Sequence, residues 1–375
     1  MLSPVFFEKI DFHGGYKIAL ATLNVEKSLN SLSLEMIDLL YGKLIEWQKD
    51  ETIALVFLQA AGDKAFCAGG DIRKLYDSML ACGSQKQNVY AEQFFEREYR
   101  LDYLIHTYPK PIICWGHGIV MGGGVGLAAG CSHRVVTQAS RIAMPEISIG
   151  LFPDVGGTWI LNQMPGGVGL FLGLTGANVN AADALFVGMA DHFITHDRKA
   201  AVLEALLSSP WSEQSEDNHK LIGSILRHFE LESQDSLPHS KVQEHFDLID
   251  RLTQAKDVLS VVERICKLES SDPWLDRARN TLQAGSPVTM NLIFEQLKRG
   301  RQLSLEEIFQ MEWGMAVHCT KNHDFPEGVR ALLIDKDGKP DWRYKAPDAV
   351  PSELINSFFK PLDGPSPLQD LGAFL

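Results

Sequence analysis

The sequence has no long apolar run: nowhere do about 18 uninterrupted apolar residues occur, so no segment reads as a membrane-spanning helix. Its six cysteines, Cys67, Cys82, Cys114, Cys131, Cys266 and Cys319, show no CxxC spacing and no paired-His motif. That argues against a disulfide framework and against structural zinc, so reduced thiols and no bound metal are the expectation. The opening residues, Met1 to Glu8, lack both a basic segment ahead of an apolar one and an Arg-rich amphipathic pattern, so a cytoplasmic protein is expected. Positive charge is in deficit. Lys and Arg number 35 against 48 Asp and Glu, a net charge of −13, and such a field repels nucleic acid and anionic membranes. Three chemical signatures are also missing. There is no GxxxxGK[ST] phosphate loop, no GxSxG nucleophile elbow, and no third glycine to complete a dinucleotide fingerprint after Gly124-Val125-Gly126.

What is present centres on residues 110 to 158. The apolar run Pro111 to Trp115 stops at glycines, and the small-residue stretch Val125 to Ala129 follows, a pattern of strand, tight turn and helix start. Gly122, Gly123 and Gly124 let a ligand approach the main chain, and the first amides of a helix have no internal partner, so they offer donors to a negative oxygen. A second turn of this kind, Ala68-Gly69-Gly70-Asp71, ends the segment that follows the apolar run Ile53 to Leu58. Two such turns can each donate one amide to the same developing oxyanion. Glu146 and Asp154 lie downstream, and amides plus carboxylates in one constellation point to acyl chemistry, with a carboxylate as nucleophile or base. Asp154 also reads as a helix N-cap before Val155-Gly156-Gly157, and the two roles are compatible. Cys67 sits in a glycine turn without an evident base nearby, which favours packing over nucleophilic chemistry.

In chain order, residues 4–12 and 16–24 read as a hairpin across His13-Gly14-Gly15. Ser33 caps an amphipathic helix carrying Ile37, Leu40, Tyr41, Leu44 and Ile45 and ending near Asp50. Residues 71–107 read as interrupted helix with a break at 81–84, and Glu96 and Glu98 lie among Phe94, Phe95 and Tyr99; either glutamate is a site-lining candidate or simply solvated. A strand is expected from Arg134 to Thr137, helices over 159–163 and 181–186, the latter capped by Asn180, and a short last strand over 190–194. Strand, glycine turn and helix thus recur at spacings of about 50 residues or less, which fits a spiral of β-β-α units better than an open doubly wound sheet. After His196 the pattern is almost wholly helical. The expected division is therefore 1–195, an α/β spiral core, and 196–375, a helical C-terminal region serving as a lid, an oligomerisation surface or both.

The runs Ala65 to Ile72, His117 to Gly126 and Met144 to Gly157 resemble the crotonase (enoyl-CoA hydratase/isomerase) superfamily. The stretch Asp324 to Asp337 resembles its 3-hydroxyisobutyryl-CoA hydrolase branch, so the similarity covers nearly the whole chain. The resemblance implies a crotonase-like spiral and hydrolysis of a short 3-hydroxyacyl-CoA thioester, 3-hydroxyisobutyryl-CoA in valine catabolism being the leading substrate. It implies that the amides of Gly70 and Gly123 form the oxyanion hole, that Glu146 is the catalytic carboxylate, and that Asp154 orients water or binds the 3-hydroxyl group. Ala68, Glu98 and Gly123 join Glu146 and Asp154 as substrate contacts. Hydratases of the superfamily carry a further glutamate where this chain has Gly126, and that departure favours the hydrolase. An enoyl-CoA isomerase or hydratase, or a non-catalytic assembly subunit, are the alternatives. No cofactor is expected beyond the coenzyme A of the substrate, whose phosphates would need basic groups such as Lys64, Arg73 or Lys74. A homo-oligomer, trimer or hexamer, is a further implication.

Overall fold

In the computed structural model the described residues are 3–11, 15–83, 87–362 and 364–373. Among the described residues nine strands run in chain order: β1 (Val5–Asp11), β2 (Lys17–Leu23), β3 (Ile53–Ala60), β4 (Ala65–Cys67), β5 (Ile112–Gly116), β6 (Ile119–Met121), β7 (His133–Val136), β8 (Arg141–Ala143) and β9 (His192–Phe193). The expected hairpin is β1 antiparallel to β2, Val5 facing Leu23, while its turn at 12–14 lies outside the described residues. The first helix of the 71–107 stretch ends at Cys82, within the break expected at 81–84, residues 84–86 lie outside the described ones, and the next helix begins at Val89.

Strands β1-β2-β3-β5-β7-β9 form one sheet, parallel from β2 onward, and β4-β6-β8 form a second. Three times, a strand of the large sheet is followed by a short strand of the small one and then by a helix: Ile72–Cys82, Gly123–Ala129 and Gly157–Asn162. Central β3 is buried at nearly every position, as a parallel strand covered on both faces must be, whereas edge strand β1 is mostly exposed.

By contacts the chain forms two compact units that are not divided at residue 195. The first takes Met1–Gly70, Leu101–Ile142 and Val179–Gln243; the second takes Asp71–Arg100, Ala143–Asn178 and Glu244–Leu375. Residues 196–243 join the first because the helices Lys199–Leu207 and Ser215–Ser233 bring Val202, Leu206, Ile222, Leu226 and Phe229 onto Ile18, Phe57, Ile113 and Trp115 of the large sheet. Apolar periodicity shows that a helix has a face to bury but does not name the surface that receives it. In the second unit an aromatic series runs Phe94, Phe95, Tyr99, Phe309 at centroid spacings of 5.7, 5.9 and 5.8 Å. Among the described residues no helix is long and apolar enough to cross a membrane.

Candidate active site

In the first unit the two glycine turns lie side by side because the strands that deliver them are neighbours: β4 pairs with β6 in parallel, Ala65 beside Ile119. A Cβ built on Gly69 would sit 3.3 Å from Met121 O and 3.8 Å from Gly123 N. The approach is closest at Gly124, where a Cβ would lie 2.3 Å from Cys67 O, so any side chain there would force the turns apart. Hydrogen bonds from Ala68 N to Leu29 O (3.0 Å) and from Leu32 N to Gly69 O (2.8 Å) brace the first turn. Ala68 therefore spends its amide on the fold. Among the described residues no hydrogen bond takes up the amides of Gly70 or Gly123. Gly123 opens the helix Gly123–Ala129, so its N–H is one of the donors a helix start leaves over. Gly126 is buried inside that helix. Cys67 is wholly buried, in keeping with a packing role.

In the second unit Glu98, Glu146, Asp154 and Glu312 are all buried, none more than 5% exposed. Glu146 opens a single 3-10 turn, Glu146–Ile149, closed by Gly150 at φ 73 with Leu151 N donating to Glu146 O. A Cβ on Gly150 would fall 2.4 Å from Asp324 O, which explains why the Asp324 to Gly328 run belongs with this turn: the helix Asp324–Val329 packs directly on it. Asp324 is itself held by Ser286 Oγ at 2.5 Å and Arg343 N at 3.0 Å.

The Asp154 carboxylate accepts from Tyr99 Oη at 2.7 Å and does not cap the following helix, contrary to the N-cap reading. Glu312 does that work. Its Oε2 accepts from Gly156 N and its Oε1 from Thr158 N, each at 2.8 Å. Gln296 Nε2 donates to Pro153 O (2.6 Å) and Thr158 Oγ1 (2.7 Å). Glu98 Oε1 and Glu146 Oε2 are buried with no hydrogen-bond partner. Glu98 is thus not a solvated helix carboxylate, whereas Glu96 lies near Arg100 at 3.7 Å in partly exposed surroundings.

Burial disfavours the charged form of each of these acids, and neighbouring carboxylates add to the effect. Burial first, and then the Asp154 charge, hold Glu146 well above the ordinary carboxylate range, and the same two causes raise Glu98. Burial lifts Asp154 to about 6 although the Tyr99 hydroxyl stabilises its ionised form. Glu312 is pushed up by burial to about 8 against the two amides that favour its charge. Chemically this is a set of buried acids whose ionised forms are disfavoured, so each holds its proton to higher pH than a free carboxyl does.

Of the basic residues expected near phosphates, Arg73 donates to Leu333 O at 2.9 Å, Lys74 lies 3.5 Å from Asp71, and Lys64 is exposed. Glu244, His245 and Asp272 bring ligand-type atoms within 4.8 Å of one another, but Asp272 also caps the helix Pro273–Ala284 through Trp274 N and meets His245 Nε2 at 3.0 Å. A cavity of about 750 Å³ lined by Asp250, Lys256, Lys298 and Arg301 contains none of the four acids. Sequence reasoning missed Tyr99 as a partner of Asp154 and missed Glu312 altogether. The available signal for Glu312 was one acid in the apolar run Ile308 to Val317.

Residues 18–359 match the enoyl-CoA hydratase/isomerase family. The chain belongs to that family. It is 40% identical to a protein of Danio rerio named mitochondrial 3-hydroxyisobutyryl-CoA hydrolase, over 96% of this chain and 90% of the relative. The Homo sapiens protein of the same name is 38% identical over 91% of this chain and 86% of its own. Among solved structures, a carnitinyl-CoA dehydratase from Mycobacterium thermoresistibile superposes with a TM-score of 0.84 at 32% identity, covering 98% of this chain and 99% of that one. The fold of this enoyl-CoA hydratase/isomerase family member is accordingly the crotonase-like α/β spiral with a mainly helical C-terminal region.

Proposed function

We propose that the chain hydrolyses a short 3-hydroxyacyl-CoA thioester, with 3-hydroxyisobutyryl-CoA as the leading substrate and valine catabolism as the setting. The observation that carries this reading is the near full-length match to relatives bearing that enzyme name. Gly126 supports it, since a water addition that needs a second glutamate at that position has none. In this reading the amides of Gly70 and Gly123 accept the growing charge of the thioester oxygen. Glu146, once ionised, attacks the thioester carbon and expels the CoA thiolate, leaving a mixed anhydride that water cleaves; alternatively it takes a proton from water that attacks directly. Asp154 orients that water or the 3-hydroxyl group, and Glu98 and Ala68 line the acyl site. The reaction needs no cofactor besides the coenzyme A that the substrate brings. Relatives are named mitochondrial, whereas a cytoplasmic location is the proposal for this chain and is checked by fractionation.

The similarity to a solved carnitinyl-CoA dehydratase keeps water addition or elimination as a second reading. Thiol release from 3-hydroxyisobutyryl-CoA, followed with a thiol reagent, separates the two, because hydration changes enoyl absorbance and frees no thiol. Glu146→Gln should lower thiol release on the order of 100-fold or more, the usual weight of a positioned acid or base. An unchanged rate in that variant rules the mechanism out.

A further inference from the structure

The turn that presents Asp154 is strained. Val155, a β-branched residue, has φ 54, and Gly156 follows at φ 82. A β-branched side chain in the left-handed region is a true outlier and persists only where the surroundings over-determine it. Here the surroundings are two helices from the C-terminal part of the second unit. Glu312 on the helix Leu305–Thr320 takes one amide on each side of Gly157, and Gln296 on the helix Pro287–Gly300 holds the carbonyl of Pro153 and the hydroxyl of Thr158. Tyr99 fixes one oxygen of Asp154 from a third helix, Val89–His106.

A carboxylate with no solvent exposure is a costly way to satisfy two amides. Elsewhere the chain caps helices with the short side chain of the adjoining residue, as at Ser33, Asn180, Ser286 and Ser304, and where that residue is an aspartate, at Asp71, Asp257 and Asp272, the carboxylate is not buried. A plain cap therefore does not account for Glu312. A bidentate acceptor reaching in from a separate helix fixes both position and orientation of the turn, as a simple cap cannot.

We propose that Glu312 is a positioning residue of the reaction, clamping the strained 154–158 turn so that Asp154 is presented in one geometry, with Tyr99 orienting its carboxylate. The proposal rests on the role given to Asp154 above. It gives one side chain of the helix Leu305–Thr320 a part in positioning the site, beside any role of that helix as a lid or an oligomer contact.

The test compares four variants of the full chain by thiol release against pH and by thermal melting. Glu312→Gln leaves one acceptor for two amides, and kcat should fall on the order of 100-fold with KM little changed, the signature of a misplaced group. Tyr99→Phe removes the donor that favours ionised Asp154, so less Asp154 charge opposes the ionisation of Glu146 and the acid limb of the kcat profile should move to lower pH. Ser304→Ala loosens the same helix at its cap, and should lower the melting temperature while leaving the kcat profile in place. Glu146→Gln reports on the underlying reading: if it retains full activity, that reading is lost. If Glu146→Gln is inactive while Glu312→Gln and Tyr99→Phe keep the parent kcat and pH profile, the positioning role is overturned. Should Glu312→Gln not fold, Tyr99→Phe decides, a shifted limb upholding the proposal and an unshifted limb ending it.

Discussion

Glu146 sits among acids whose charges oppose its own, and burial and then the Asp154 charge hold it well above the ordinary carboxylate range. Attack or base action needs the ionised form, so thiol release should rise with pH through the shifted range, as a rate profile will show. After burial, the Asp154 charge is the largest influence on Glu146. Asp154→Asn should therefore move that rising limb to lower pH even as kcat drops, the same sign as the shift expected for Tyr99→Phe. Glu98 is raised by the same two causes, burial and then the Asp154 charge, and its replacement by Gln changes shape little. Glu98→Gln should move the limb to lower pH by less than Asp154→Asn does, because its charge weighs less on Glu146, and should raise KM if this side chain meets the acyl group. Titrations of acids this closely grouped belong to the set and not to one member, so the shifts are read as displacements of whole profiles.

At the level of elements, the site depends on backbones brought closer than side chains allow. Gly124→Ala places a methyl group 2.3 Å from Cys67 O and 3.0 Å from Cys67 C, and because these are main-chain atoms, β4 and the helix Gly123–Ala129 have to separate. Overpacking of this kind costs ~1–3 kcal/mol, measurable as a lower urea midpoint, and activity should fall with it. The Ser304 capping box, in which Ser304 Oγ accepts from Glu307 N and Glu307 accepts from Ser304 N, is a milder case. Ser304→Ala should cost about 1 kcal/mol by the same measurement. The helix starts at Ser33 and Asn180 were legible because cap and apolar period are both local, and the structure places those caps at those residues. The second strand of each repeat was harder to separate from its turn, since β4, β6 and β8 are only three residues long.

For the whole molecule the buried acids set a pH dependence of stability. Glu312 is raised from 4.5 to about 8 and Asp154 from 3.8 to about 6. A folded state whose acids hold protons that the unfolded chain releases is most stable at low pH within this window, and loses stability as pH rises through the folded values. The melting temperature should fall from about pH 5 to about pH 9, and Glu312→Gln should flatten the upper part of that fall. An unchanged melting temperature across this range contradicts the protonation states assigned here. Taken alone, the amino-acid order determined what is local: strand runs, glycine turns, helix caps, the candidate pairs Gly70 with Gly123 and Glu146 with Asp154, and the family resemblance. Tertiary structure decided which helices cover the sheet, why residues 196–243 belong with the first unit, and that Glu312, 158 residues from Asp154 along the chain, holds the turn next to it. The reason is physical. Periodicity and capping act over a few residues, whereas burial, the pKa of an acid and the partner of a hydrogen bond depend on groups that only folding brings within reach.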